Sequence, residues 1–192
     1  MASKLIYDNA FFRSLMAVSG KLFLKLLGWK VVGTVPDQKK FVAIAAPHTS
    51  NWDFPLFMAV VGCFNLHIRF LGKHTLFQGA SGKLFSYLGG IPVDRTSDEA
   101  GALVGQAVEA FNQSEHMILG IAPEGTRTAV SKWKTGFYRI AVQAEVPILL
   151  AFVDRRTKQI GLGPLFMPTG DKEADLAAIQ AFYTGKTGVK AL

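Results

Sequence analysis

Cysteine is almost missing from this chain. Cys63 is the only one in 192 residues, so no disulfide can close within it. That excludes a small disulfide-stapled scaffold, and a reducing cytoplasmic environment agrees with it. Cys63 sits in the apolar stretch Phe57-Met58-Ala59-Val60-Val61-Gly62-Cys63-Phe64 and reads as packing, not as a nucleophile. Charge is also scarce, at 18% of residues against 49% hydrophobic. Even so, no uninterrupted apolar run is long enough to span a bilayer, and no signal peptide with a small-residue cleavage site is expected. Serine-nucleophile chemistry lacks its elbow: Gly79-Ala80-Ser81-Gly82 has the wrong final spacing. His67, His74 and His116 do not combine with a carboxylate or Cys63 at metal-ligand spacing, so no catalytic metal is expected. Gly185-Lys186-Thr187 resembles the end of a phosphate-binding loop. Gln180 occupies the place of its first glycine and no strand precedes it, so that motif is discarded.

What is present suggests one domain, large enough for a real core. The formal net charge of +7 favours a polyanionic partner such as an anionic membrane or a phosphorylated ligand. The basic residues are dispersed and carry no RNA-binding or zinc-finger signature, so no nucleic-acid partner is expected. Short apolar runs at 41–46, 66–71, 117–122 and 147–153 read as buried strands, with a weaker one at 88–93. Helices are expected at 54–64, 75–87, 136–144 and 173–183. Another follows the capping box Thr96-Ser97-Asp98-Glu99, where Leu103, Val104, Ala107, Val108 and Phe111 recur at helical spacing. Strands alternating with helices predict a single α/β domain with a mostly parallel or mixed sheet flanked by helices. In such sheets ligands collect at loops beyond the strand ends.

The N-terminal residues 1–30 form a separate expectation, an amphipathic membrane-interface segment. Between positions 9 and 28, Phe12, Leu15, Met16, Leu22, Phe23 and Leu26 share one helical face, with Arg13, Ser14, Lys21 and Lys25 on the other and Trp29 at the end. That is the pattern of an interfacial helix. A helix covering the domain's own core gives the same pattern. The two are compatible if the apolar face is wider than the core needs. Residues 185–192 read as a loose tail.

Three polar, glycine-bearing turns follow apolar runs. The first is Ala46-Pro47-His48-Thr49-Ser50-Asn51-Trp52-Asp53, the second Gly90-Ile91-Pro92-Val93-Asp94-Arg95, the third Ala122-Pro123-Glu124-Gly125-Thr126-Arg127. A histidine on a strand-end turn can serve as a general base, a role worth about 10²–10⁴-fold in rate. Asp53 could fix its tautomer and stabilise the imidazolium, and Ser50 or Asn51 could cap the helix that follows. With no serine elbow, His48 would activate an external nucleophile. Arg95 and Arg127 beside glycine-rich backbone suit a phosphate. The alternative for them is surface ion pairs with Asp94 and Glu124.

Together these blocks resemble the glycerolipid acyltransferase family, which includes the lysophosphatidic acid acyltransferases. His48 and Asp53 match its motif of His, four residues and Asp (HX4D). Residues 89–95 match a Gly-x-Ile-x-Val-Asp-Arg-like turn, and Pro123-Glu124-Gly125-Thr126-Arg127 matches a third motif in full. Val146-Pro147-Ile148 matches a fourth, and Lys134-Thr135-Gly136 also looks like the family. The resemblance spans about residues 40–155 and implies an acyltransferase domain over 31–184. It implies peripheral attachment to the cytoplasmic side of a membrane and no cofactor, with acyl-CoA or acyl carrier protein as co-substrate and a lysolipid as acceptor. It makes His48 the general base and Asp53 its orienting partner. Lys73, Arg95, Glu124, Gly125, Thr126 and Arg127 become acceptor-binding or oxyanion-holding residues. Departures are Thr75 in place of a glutamate, Ala122 in place of an aromatic, Thr128 in place of serine and Leu149 in place of a second proline. They touch acceptor identity: another lysolipid, a glycolipid or an aminolipid would fit the same chemistry. A thioesterase-like hydrolase and a non-catalytic lipid-binding module are the readings from other classes.

Overall fold

A computed structural model describes residues 5–93, 100–128, 130 and 132–189. Within them the chain forms seven strands and six α-helices. In order these are α1 (Ala10–Leu26), β1 (Lys30–Val32), β2 (Lys40–Ala46), α2 (Asp53–Cys63), β3 (Ile68–Lys73), α3 (Gly79–Tyr87), β4 (Gly90–Val93), α4 (Ala100–Gln113), β5 (Met117–Ile121), α5 (Gly136–Gln143), β6 (Ile148–Asp154), β7 (Gln159–Phe166) and α6 (Lys172–Tyr183). The strands make one sheet in the order β1-β7-β6-β2-β5-β3-β4. All pairings are parallel except β6 with β7. This is the single-domain α/β architecture with a mixed sheet expected from the alternation.

The sheet's centre explains its apolar runs. In β2, Phe41, Val42, Ala43, Ile44 and Ala46 are all buried, because helices cover both faces and neither face is left to water. Val42, Ile44 and Ala46 pack on one side with Phe111 of α4, Phe137 and Ile140 of α5 and Ile179 of α6. Phe41 and Ala43 face the other side, under Leu24 of α1 and Leu56 and Val60 of α2. Buried Asp175 ties α6 to α5: it accepts from the Tyr138 hydroxyl at 2.8 Å, and from the Thr169 amide at 2.7 Å and hydroxyl at 2.8 Å.

Several boundaries move. The strand expected at 66–71 runs from Ile68 to Lys73, and the weak one at 88–93 shortens to Gly90–Val93. The helix expected over 75–87 is a 3₁₀ turn at His74–Phe77 followed by α3, broken at Gln78, whose backbone is extended with a ψ of 145°. The capping box at 96–99 lies outside the described residues. β1 and β7 have no counterpart in the sequence reading. β1 is only three residues, and β7 carries Gly161, Gly163 and Pro164, which disguise it.

α1 carries two apolar stripes on opposite sides. Met16, Gly20 and Leu24, four apart, face α2; a Cβ at Gly20 would lie 2.7 Å from the Ala59 carbonyl oxygen, and one at Gly62 would lie 2.5 Å from that of Met16. The helices therefore cross backbone to backbone. Phe11, Leu15, Val18, Leu22 and Leu26 lie away from this seam, and all five are at least half exposed, up to 77% for Leu26. Met16 and Phe23 thus leave the single face proposed from periodicity, and Phe11 and Val18 join the outer one. Asn9 caps the helix as its position suggests, its side-chain oxygen accepting from the amides of Phe11 at 2.9 Å and Phe12 at 3.4 Å.

Candidate active site

Because β2, β3, β5 and β6 run parallel, their C-terminal ends share one edge of the sheet, and the His48 turn after β2 and the turn 122–127 after β5 leave from that edge. After β2 the chain passes a cis Ala46–Pro47 peptide into the His48 turn. Asp53 is the first residue of α2, and its carboxylate folds back over the turn. Its Oδ2 accepts from His48 Nδ1 at 2.9 Å and from the amides of Thr49 and Ser50, each at 2.7 Å. A carboxylate at a helix N-terminus is also favoured by the helix dipole. Neither Ser50 nor Asn51 caps α2: the N-cap position falls to Trp52, no side chain caps the helix, and the Ser50 hydroxyl accepts from the Trp52 amide at 3.2 Å. Since Asp53 can only accept, Nδ1 carries the proton and Nε2 is left with the lone pair a base needs.

His48 lines a cleft of about 690 Å³. One wall is aromatic, built from Phe54 and Phe57 of α2, Phe70 of β3 and Phe85 of α3, with Leu76 beside them. Phe54 lies 5.3 Å from both Phe70 and Phe85, centroid to centroid. A second apolar wall comes from Ala151 and Val153 of β6 and Ile160 and Gly161 of β7. The polar lining is small: besides His48, Asp53, Ser50 and Asn51 it holds Lys73, Thr126, Arg127 and Thr128. Such a cleft suits a long apolar chain ending in a polar or anionic head.

The third motif wraps the turn after β5. Gly125 takes a φ of +67° there, and its amide donates to the Ala122 carbonyl at 3.1 Å. A side chain at 125 would strain that turn and meet Lys134, whose Cδ and Cε would be 3.0 Å from the new Cβ. The resemblance puts Glu124 on the acceptor. In the structure its Oε2 accepts from the His48 amide at 3.0 Å, bridging the turns after β2 and β5. Burial pushes the Glu124 carboxyl up to about 7, against the hydrogen bond and the His48 charge, which pull it down. Arg127 does not pair with Glu124. Among the described residues it makes no ion pair, so its guanidinium is available on the cleft wall. Thr126 shares a hydroxyl contact of 3.0 Å with Thr128. Lys73, at the exposed end of β3, reaches the same cleft. Arg95 lies outside the described residues.

The fold therefore brings His48, Asp53, Lys73, Glu124, Gly125, Thr126 and Arg127 to one edge. The apolar walls have no counterpart in the sequence reading. Phe54 and Phe57, one helical turn apart directly after the His-Asp motif, are the signal that could have revealed them. Lys134, packed on Gly125, stands out in the sequence only through the resemblance.

The acyltransferase family profile matches residues 29–151. Among solved structures the chain is similar to the 1-acyl-sn-glycerophosphate (LPA) acyltransferase PlsC from Thermotoga maritima. The TM-score is 0.64 at 22% identity, over 90% of this chain and 76% of that one. No curated protein matches at a significant level. A profile match from β1 through most of β6 covers the turns that carry His48, Asp53, Lys73 and Arg127, and this chain belongs to the acyltransferase family.

Proposed function

We propose that this acyltransferase moves a fatty acyl group from acyl-CoA or acyl carrier protein to a hydroxyl of a lysophospholipid, with lysophosphatidic acid as the default acceptor. The observation that carries this is the 2.9 Å His48–Asp53 pair opening onto a cleft with two apolar walls and two cations. His48 Nε2 takes the proton of the acceptor hydroxyl as its oxygen attacks the thioester carbonyl. The tetrahedral intermediate collapses, the carbon–sulfur bond breaks, and the thiolate leaves with the proton returned by the imidazolium. The products are the ester and a free thiol. Asp53 holds the ring and stabilises the imidazolium while it exists. The developing oxyanion needs donors fixed in advance, each worth about 3–4 kcal/mol in enzymes where one has been removed. Lys73 and the turn amides are the candidates. Arg127 and Lys73 supply the charge for an acceptor phosphate.

The acceptor resides in a bilayer, yet no helix among the described residues is long and apolar enough to cross one. The outer stripe of α1, flanked by Lys21 and Lys25, supports peripheral binding to an anionic surface. A labelled acyl thioester offered with a panel of lysolipids tests the reading. Label should move into phosphatidic acid, with thiol released in equal amount. Thiol release unchanged by any lysolipid would make the protein a hydrolase, and no turnover with any acceptor would leave it a lipid-binding module.

A further inference from the structure

We propose that residues 184–189 form a strap that positions the catalytic turn, with Thr187 and Gly188 as positioning residues for His48. This rests on the reading of His48 as the general base. The segment expected as a loose tail leaves α6 on one face of the sheet and crosses the edge where the cleft opens. It then packs the half-buried Val189 against the core of the opposite face. Each step is tied down. Arg156 Nη1 donates to the Gly185 carbonyl at 3.0 Å, and the Arg155 amide to the Thr187 carbonyl at 3.0 Å. The Thr187 amide and hydroxyl both donate to Asp154 Oδ1 at 3.2 Å. Asp154 ends β6, is only 8% exposed, and also accepts from the Arg156 amide at 3.2 Å and the Thr157 hydroxyl at 2.9 Å. The Lys186 ammonium stands 4.0 Å above the Phe182 ring.

Anchoring Thr187 in this way fixes the position of Gly188. That glycine lies so close to Thr49 that a Cβ there would overlap the threonine side chain. Thr49 is 5% exposed, adjoins His48, and its amide is one of the three donors gathered by Asp53. The turn from 47 to 52 has no ladder hydrogen bonds to hold it, since β2 ends at Ala46. Asp53 and Glu124 accept its amides, and the strap packs against Thr49. The strap presses the threonine beside the base and leaves both ring nitrogens untouched.

The test compares Gly188→Val, Thr187→Val and Thr187→Ser with wild type in acyl transfer and in amide hydrogen exchange. His48→Ala runs alongside. Gly188→Val and Thr187→Val should lower kcat about tenfold to a hundredfold with donor and acceptor KM unchanged, as expected when a base is displaced rather than a binding group lost. Exchange of the Thr49 and Ser50 amides should quicken about tenfold or more, while that of β2 and β5 amides stays the same. Thr187→Ser, which keeps the hydroxyl, should restore both. If Gly188→Val does not fold, Thr187→Val and its serine rescue decide. Wild-type kcat, or unchanged exchange at Thr49 and Ser50, overturns the strap. An active His48→Ala protein overturns the base instead, and the exchange data still judge the strap by themselves.

Discussion

Asp53→Asn separates the charge of Asp53 from its shape. The asparagine carbonyl can take the place of Oδ2 and keep the amide bonds of Thr49 and Ser50, now at 2.7 Å, and a bond to His48 Nδ1, now at 2.9 Å. Its NH₂ must then sit where Oδ1 is, a buried position without a partner among the described residues. A buried unpaired donor costs at most about 1–3 kcal/mol here, since Oδ1 is already unpaired in the wild type, and that bounds the fall in Tm at roughly 2–12 °C in a domain of this size. The catalytic loss is separate. When His48 accepts the proton, the wild-type carboxylate faces a new positive charge. Unit charges ~4 Å apart at an effective dielectric near 20 attract by about 4 kcal/mol. The imidazole is 28% exposed, so water screens part of this. About 2–3 kcal/mol remains, or roughly 30- to 150-fold in kcat.

Stopped assays of thiol release at saturating donor and acceptor should show that loss, with both KM values within about threefold of wild type because neither substrate touches the lost charge. The double variant His48→Ala/Asp53→Asn should be no slower than His48→Ala, since Asp53 acts only through the ring. A single variant within about threefold of wild-type kcat, or a double variant much slower than His48→Ala, would refute the argument.

Arg127→Ala should raise the KM for lysophosphatidic acid by about tenfold or more and change that for the donor little, because the guanidinium is available to the acceptor phosphate in ground and transition states alike. A raised donor KM instead would move Arg127 to the donor. Glu124 gives a pH effect of known sign. Its folded pKa, near 7, is above the unfolded value, so its contribution to stability is full below about pH 4.5 and is lost as pH rises to about 7. Urea unfolding of Glu124→Gln across that window should lose the corresponding downward slope, and an identical slope in both proteins would put the burial argument in error. Lys21→Glu with Lys25→Glu should weaken sedimentation with anionic vesicles, each basic residue contributing about 1 kcal/mol at low salt. Equal sedimentation of wild type and variant would place the membrane contact elsewhere. Gly62→Val should cost about 1–3 kcal/mol by forcing α1 away from α2, read as a lower urea midpoint. An unchanged midpoint would mean that the crossing is not tight.

The candidate site is legible in the sequence because its motifs are local. His48 and Asp53 are one turn and one helix start apart, and residues 123–127 are a single turn, so each motif carries its geometry in its own spacing. The cleft is not legible, because its walls join residues about a hundred positions apart, Phe54 with Ala151 and Ile160. β7 escapes for a related reason. It pairs antiparallel to β6 across the turn 155–158, where Lys158 takes a φ of +54°, and its glycines let β1 and Phe182 approach closely instead of contributing apolar alternation.

The helix α1 shows most clearly what periodicity can and cannot carry. Its many apolar residues at helical spacing read as one broad face, because spacing records only that a residue avoids water and not what covers it. Two stripes on opposite sides give nearly the same pattern as one wide stripe. The residue that distinguishes them is Gly20, which adds nothing to an apolar count. Set four residues after Met16 and four before Leu24, and facing the backbone of Ala59, it marks the seam that belongs to α2. The stripe that lacks such a small residue is the one left in solvent. The same logic applies at Gly188. A glycine with an ordinary φ is needed there for space, and the space it leaves is filled by Thr49, the threonine beside His48.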